Sequence, residues 1–174
     1  MWPKGLDDIA EMHKNPKGLH SFEDGGYNLT FLIENKQGYN NLSKLITTAI
    51  YDGMFYRPRI DFELLKKNSE GLILMSNGLN GIVGQAMVHE HRHIAFTGFA
   101  PPDWSQERFA NYLEEKRNLA LDAVRPRIER LLDIVGEANF YFEIQDFGIP
   151  IQSEINLICR ILSRQYNIPL VVTN

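Results

Sequence analysis

Cysteine occurs once in these 174 residues, at Cys159, so no internal disulfide can form and a reducing, cytoplasmic setting is expected. Long apolar runs are missing. None approaches the roughly 20 residues needed to cross a bilayer, and the opening Met1-Trp2-Pro3-Lys4-Gly5 lacks the apolar stretch of a secretory signal. We therefore expect no membrane partner. There is no basic excess either. Lys and Arg number 18 against 22 Asp and Glu, a net charge of −4, so only local basic clusters could draw the chain to nucleic acid. Internal repeats and low-complexity tracts are absent, and 44% apolar with 23% charged residues is the composition of an ordered globular chain. The Gly-rich stretch Asn77 to Gly81 lacks the Lys and Ser/Thr of a phosphate-binding P-loop and reads as a strand-to-helix turn.

What is present alternates between strand and helix, over a length sufficient for one domain with its own core. Residues 1–26, rich in Gly, Pro, Lys, Asp and His, form an irregular lead-in. Tyr27 to Glu34 is the first strand, closed by Asn35-Lys36-Gln37-Gly38. Leu42, Leu45, Ile46, Ala49 and Ile50 recur at helical spacing up to Asp52-Gly53. Asp61 is placed to cap a short helix through Lys67, and Gly71 to Ser76 is a second buried strand. Ser105 caps a long helix, which Pro126 kinks or restarts before Gly136 ends it. Its core face is Leu121, Val124, Ile128, Leu131 and Leu132. Phe140 to Gln145 is a strand. Pro150 opens a helix with Ile151, Ile155, Ile158 and Leu162 on one face, and Pro169 to Thr173 is a strand again. Strand, helix and strand in that order predict a parallel pair, so the fold class expected is α/β. The chain stops at the polar end of this strand, where parallel α/β folds keep their binding groups, and it reads as a piece of a larger protein.

Several stretches together resemble one family. They are Gly38-Tyr39-Asn40-Asn41-Leu42, Arg57-Pro58-Arg59-Ile60-Asp61, Glu70-Gly71-Leu72-Ile73-Leu74-Met75-Ser76, Phe142-Glu143-Ile144-Gln145 and Val171-Val172-Thr173-Asn174. Their order and spacing resemble the N-terminal PHP (polymerase and histidinol phosphatase) domain of the bacterial DNA polymerase III alpha subunit, over residues 25–88 and 124–174. The resemblance implies a partial, distorted PHP-type β/α barrel with mostly parallel strands. Residues 27–174 would be an incomplete domain, with an insertion at 89–123.

Active members of the family build a metal cluster from His, Asp, Glu and Cys at strand ends. Their opening His-x-His and the following Asp-His pair would lie before residue 1, and their final Asp-x-His would follow Asn174. Two positions inside the chain depart from the pattern. Asn28 matches a strand position that usually carries a ligand His, and Gly78 a turn position that often supplies Cys or His. Asparagine offers a neutral carbonyl, a poor replacement for imidazole on zinc or manganese, and glycine offers no side chain. The expectation is no catalytic residue, no metal residue and no cofactor in this segment, with magnesium expected for the parent polymerase. The resemblance implies the parent's other domains, a proofreading subunit, and DNA reached through the parent as partners.

Three sets of residues remain to be weighed. His89, His91 and His93 would share one face of a strand, as a metal requires, but their neighbours match no family ligand and an exposed polar edge is the preferred reading. Glu143 would point opposite to Phe142 and Ile144. It is either a functional strand-end carboxylate or, as preferred, the partner of a neighbouring Arg or Lys, because an unpaired buried carboxylate is costly. Gln145 and Asp146 share that ambiguity, and Thr173-Asn174 is expected to fray. Arg57 and Arg59, with Lys66 and Lys67, are candidates to touch a phosphate backbone or another domain, against the plainer reading of a solvated face.

The favoured function is an architectural fragment of a replicative polymerase. The alternatives are a metal-dependent phosphoesterase or 3′–5′ exonuclease with ligands outside the chain, and a stand-alone protein-binding module. The last would dock through the insertion at 89–123, with Phe96, Phe99, Trp104 and the prolines Pro101 and Pro102 as its apolar patch.

Overall fold

A computed structural model describes residues 26–55, 57–91, 100 and 102–173. The first strand, β1, is Thr30–Ile33. The segment Asn35 to Gly38, expected to close it as a turn, instead begins helix α1, Lys36–Tyr51. Asn35 is the N-cap, its side chain accepting from the Gly38 N–H at 3.0 Å. Glycine is needed at position 38 because the first turn presses on backbone: a Cβ there would run into the Gly71 carbonyl. One turn on, Asn41 is buried and its Nδ2 donates to the Glu70 carbonyl at 2.9 Å. Gly38 and Asn41 thus dock α1 onto the residues that lead into the second strand of the sheet.

Of the apolar residues read as one face of α1, Leu45 and Ala49 are buried whereas Ile46 and Ile50 are exposed. A hairpin follows, β2 (Met54–Phe55) antiparallel to β3 (Arg57–Pro58). Asp61 caps α2, Phe62–Lys67, its Oδ1 accepting from the Leu64 N–H at 2.7 Å. Then come β4 (Leu72–Met75) and α3 (Ile82–His91), with the Asn77 to Gly81 turn between them.

Ser105 caps α4, Gln106–Val135, its Oγ accepting from the Arg108 N–H at 3.1 Å. The helix does not restart at Pro126 but runs through it for 30 residues, to Gly136 at φ 79°. Proline inside a helix costs about 3 kcal/mol. Val124, Ile128 and Leu131, fully buried on either side of it, hold the axis in place. Each such side chain contributes about 1.5–3 kcal/mol by leaving water. A 3₁₀ turn, Glu137–Asn139, leads into β5 (Phe140–Ile144). Helix α5 (Pro150–Tyr166) and β6 (Leu170–Val172) complete the described chain.

The sheet order is β1-β4-β5-β6. β4 with β5 and β5 with β6 pair in parallel, as the strand–helix–strand pattern requires, while β1 lies antiparallel to β4 with Thr30 opposite Met75. The chain is therefore an α/β fold with a mostly parallel sheet. Ile151, Ile155, Ile158 and Leu162 all face the core, against Phe140 and Phe142 of the sheet.

Candidate functional site

The parallel strands β4, β5 and β6 end at a common rim. Because β1 runs the other way, its leading end reaches the same place. Asn28 bridges to Gly81 and donates its backbone N–H to the Asn80 carbonyl at 2.9 Å. The rim therefore gathers Asn28, the 77–81 turn, Glu143, Gln145 and Thr173. Both positions at which the resemblance leads one to expect ligands are brought there by the fold.

The turn is built for close approach. Asn77 adopts a left-handed φ of 58°, and a Cβ on Gly81 would overlap the Ser76 and Asn77 carbonyls. Ser76 is itself fully buried, and its Oγ accepts the Glu143 backbone N–H at 3.0 Å. That bond ties the end of β4 to the backbone of β5 at Glu143.

Glu143 is 5% exposed. One of its oxygens, Oε1, accepts from Gln145 Nε2 at 2.9 Å and from the Thr173 hydroxyl in a short hydrogen bond. Gln145 Nε2 also donates to Thr173 Oγ1 at 3.1 Å. Of the two residues expected to fray, Asn174 lies outside the described residues, while Thr173 is held: besides these bonds its N–H donates to the Ile144 carbonyl at 3.1 Å. Asn156 of α5 clamps the Gln145 backbone from both sides, Oδ1 accepting at 3.2 Å and Nδ2 donating at 2.7 Å. Gln152, 1% exposed, donates to the same Asn156 Oδ1 at 3.5 Å. Glu143 Oε2 and Gln152 Oε1 are buried without a hydrogen-bond partner among the described residues.

Among the described residues the side-chain partners shown for Glu143 are Gln145 and Thr173, not the Arg or Lys expected beside it. An amide and a hydroxyl hold the carboxylate instead, which spares the fold a second buried charge with its own desolvation cost. Beneath the rim lies the Cys159 thiol. Burial pushes it up to about 12, with the Ser76 hydroxyl opposing that rise and the Glu143 carboxylate adding to it. The thiolate is the form that binds metals and attacks electrophiles, and this site suppresses it.

Among the described residues the rim offers few donors to a metal ion. A catalytic metal site takes about three protein ligands. Here Asn28 is neutral and Gly78 offers no donor. The Gln145 amide fills the space into which a side chain at position 78 would project. Among the described residues no group of three or more His, Cys, Asp or Glu is placed to hold a metal ion.

The remaining candidates lie elsewhere. His89 and His91 fall in α3, so the backbone lacks the period-two alternation on which the three-histidine face depended, and His93 lies outside the described residues. Arg57 is exposed on β3, and Arg59 is half-buried, its N–H donating to the Gly53 carbonyl at 3.1 Å. Lys66 and Lys67 are exposed in the last turn of α2, where positive charge complements the helix dipole. The hairpin packs on α1 and α2 packs on α4, so the four cations rest on two different supports. Trp104 is half-buried, with its ring 5.2 Å from that of Tyr112 and the Arg108 guanidinium 4.5 Å from it. Phe96 and Phe99 lie outside the described residues. Among the described residues no helix is long and apolar enough to cross a membrane.

The family described as PHP domain matches residues 8–147. The DNA polymerase III subunit alpha of Thermus aquaticus is 30% identical over 162 residues, 92% of this chain and 10% of that protein. The subunit of the same name from Borreliella burgdorferi is 31% identical over 168 residues, 95% of this chain and 12% of that protein. The one from Chlamydia muridarum reaches 47% over a shorter stretch of 58 residues. This chain thus spans about a tenth of the length of the curated relatives it matches.

Proposed function

The chain belongs to the PHP domain family, and we propose that it serves DNA replication as the PHP segment of a DNA polymerase III alpha subunit, bracing the enzyme without catalysing a reaction. The names of its relatives support the parentage. One observation carries the structural role: Gln145, held to Glu143 and Thr173, occupies the room a ligand at position 78 would need. At the strand ends where the resemblance places the metals of active members, these residues form a hydrogen-bonded plug in which Glu143 Oε1 is satisfied.

The plug joins the ends of β4, β5 and β6 through Ser76, Glu143 and Thr173. Its contribution is rigidity of the surface that the rest of the polymerase would pack against. In this reading the partners are the parent's other domains, a proofreading subunit, and DNA engaged by the parent. Magnesium belongs to polymerase carboxylates outside these residues, and the setting is the bacterial cytoplasm.

The test is Glu143→Ala in the complete polymerase. Primer extension at a permissive temperature should proceed at close to the parent rate, while the melting temperature falls. A large loss of turnover with unchanged stability would sink the architectural role.

A metal-dependent phosphoesterase or 3′–5′ exonuclease, with its other ligands supplied from outside this segment, is favoured by one feature, the unpartnered Oε2 of Glu143. Metal-dependent release of nucleotides from a 3′ end, lost in Glu143→Gln and not in an aspartate variant of the polymerase site, would establish it.

A further inference from the structure

The turn between β4 and α3 carries Asn77-Gly78 and Asn80-Gly81, the two places in the sequence where glycine follows asparagine. Asparagine is thermally labile because the backbone nitrogen of the next residue can attack its side-chain carboxamide. A glycine in that next place has no Cβ to hinder the approach. The attack needs two freedoms: a carboxamide able to turn, and a backbone N–H that is not committed to an acceptor.

The fold grants these freedoms to one pair and withholds them from the other. Gly81 donates its N–H to the Gly78 carbonyl at 3.0 Å, which occupies the would-be nucleophile of the second pair. The Gly78 N–H makes no hydrogen bond among the described residues, and neither does the Asn77 side chain. Asp52-Gly53 is held like the second pair, the Gly53 N–H donating to the Thr48 carbonyl at 3.0 Å. Asn77 is half-buried and not sealed, so water has access to it.

We propose that Asn77 is a site of spontaneous deamidation, which adds a second carboxylate to the rim. The Gly78 nitrogen gives its proton to solvent and bonds to Asn77 Cγ, and the bond from Cγ to the side-chain nitrogen breaks. Ammonia leaves with a proton taken from solvent, and a five-membered succinimide remains. Water then adds to one of the two ring carbonyls and opens the ring to aspartate or isoaspartate. One water is consumed and one ammonia is released, so the step needs no oxidant, metal or further reactant.

The product stands where it matters to the plug. Ser76, on one side of Asn77, accepts the Glu143 N–H, and Gln145 fills the space beside Gly78 on the other. Isoaspartate also lengthens the backbone by a carbon, in a turn where a Cβ on Gly81 would already overlap the Ser76 and Asn77 carbonyls. Conversion therefore loosens the rim. The inference does not depend on the polymerase reading, since the reaction uses only this chain and water.

The experiment ages the native protein at neutral and at mildly alkaline pH and maps its peptides by mass spectrometry, with the chain unfolded in urea as the reference. In urea both asparagines should convert. In the folded protein Asn77 should convert about tenfold or more faster than Asn80, the factor that one hydrogen bond's worth of extra barrier gives. The rate should rise with pH, because the attacking nitrogen must lose its proton. The melting temperature of the aged protein should fall in step with conversion, and should hold steady in Asn77→Gly, whose glycine suits the left-handed φ of 58°. Equal rates at Asn77 and Asn80 in the folded protein would overturn the proposal. So would an Asn77 that stays intact while the unfolded chain converts, or an equal fall in melting temperature in Asn77→Gly.

Discussion

The Gln145 side chain stands in the space that a side chain on Gly78 would have to enter. Held by Glu143 and Thr173, it cannot withdraw without giving up its bonds to both. Restoring a ligand-type residue at position 78 should therefore be destabilising before it is useful. We predict that Gly78→Cys lowers stability by about 1–3 kcal/mol, as overpacking does, and confers no zinc binding. Urea denaturation in the presence and absence of zinc measures both.

Glu143 should tolerate loss of its charge better than loss of its shape. Glu143→Gln keeps an acceptor for Gln145 and Thr173, and we expect a change within about 1 kcal/mol. Glu143→Ala leaves those donors unpaired in a buried site and should lose about 1–3 kcal/mol. Paired denaturation curves decide between them. Equal losses would mean that the carboxylate's charge, rather than its hydrogen bonds, matters to the fold.

Position 38 offers a contrast between local preference and packing. Alanine favours helix over glycine by about 1 kcal/mol. A Cβ there would nevertheless collide with the backbone carbonyl of Gly71, which has no flexible end to move aside. Gly38→Ala is expected to destabilise, by about 1–3 kcal/mol. An increase in melting temperature would show that α1 sits farther from β4 than described.

Cys159 makes stability depend on alkaline pH. Its thiol is raised from 9.0 to about 12 in the folded chain, chiefly by burial. The unfolded chain therefore loses this proton first as pH rises. The stabilisation is complete below about 9 and is lost progressively up to about 12. The Tyr27 and Tyr166 hydroxyls, raised from 10.0 to about 12, each mainly by burial, add the same sense of change higher in the range. Between pH 8.5 and 9.5 unfolding free energy should fall in the native chain and stay nearly level in Cys159→Ala. Matching slopes in the two proteins would remove Cys159 from the account.

Periodicity made the helices and the core legible. The Ile151, Ile155, Ile158 and Leu162 stripe and the caps Asp61 and Ser105 lie where the sequence puts them. The resemblance placed Asn28 and Gly78 among ligand positions, and the fold does bring both to one rim. What the sequence hid were contacts made through space. Asn35 looks like a turn residue until the Gly38–Gly71 approach shows why a helix starts there. Ile46 and Ile50 fit the helical period yet fall outside the docked face, because Gly38 and Asn41 set the rotation of α1. Gln145 stands in a stretch that carries the resemblance, but neither it nor Asn156 belongs to a motif that says what it bonds. The sequence singled out Glu143 and left Gln145 ambiguous, and the missing side chain at Gly78 says that room exists and not what fills it.

The most direct test is metal content. The protein should be expressed together with whatever its gene encodes on either side and purified without chelator. Manganese, zinc and iron are then measured by mass spectrometry, for native protein and Glu143→Gln alike. The account predicts no stoichiometric metal that depends on Glu143, and no rise in melting temperature on adding manganese or zinc that the substitution abolishes. One or more equivalents of metal, lost in Glu143→Gln, would contradict it.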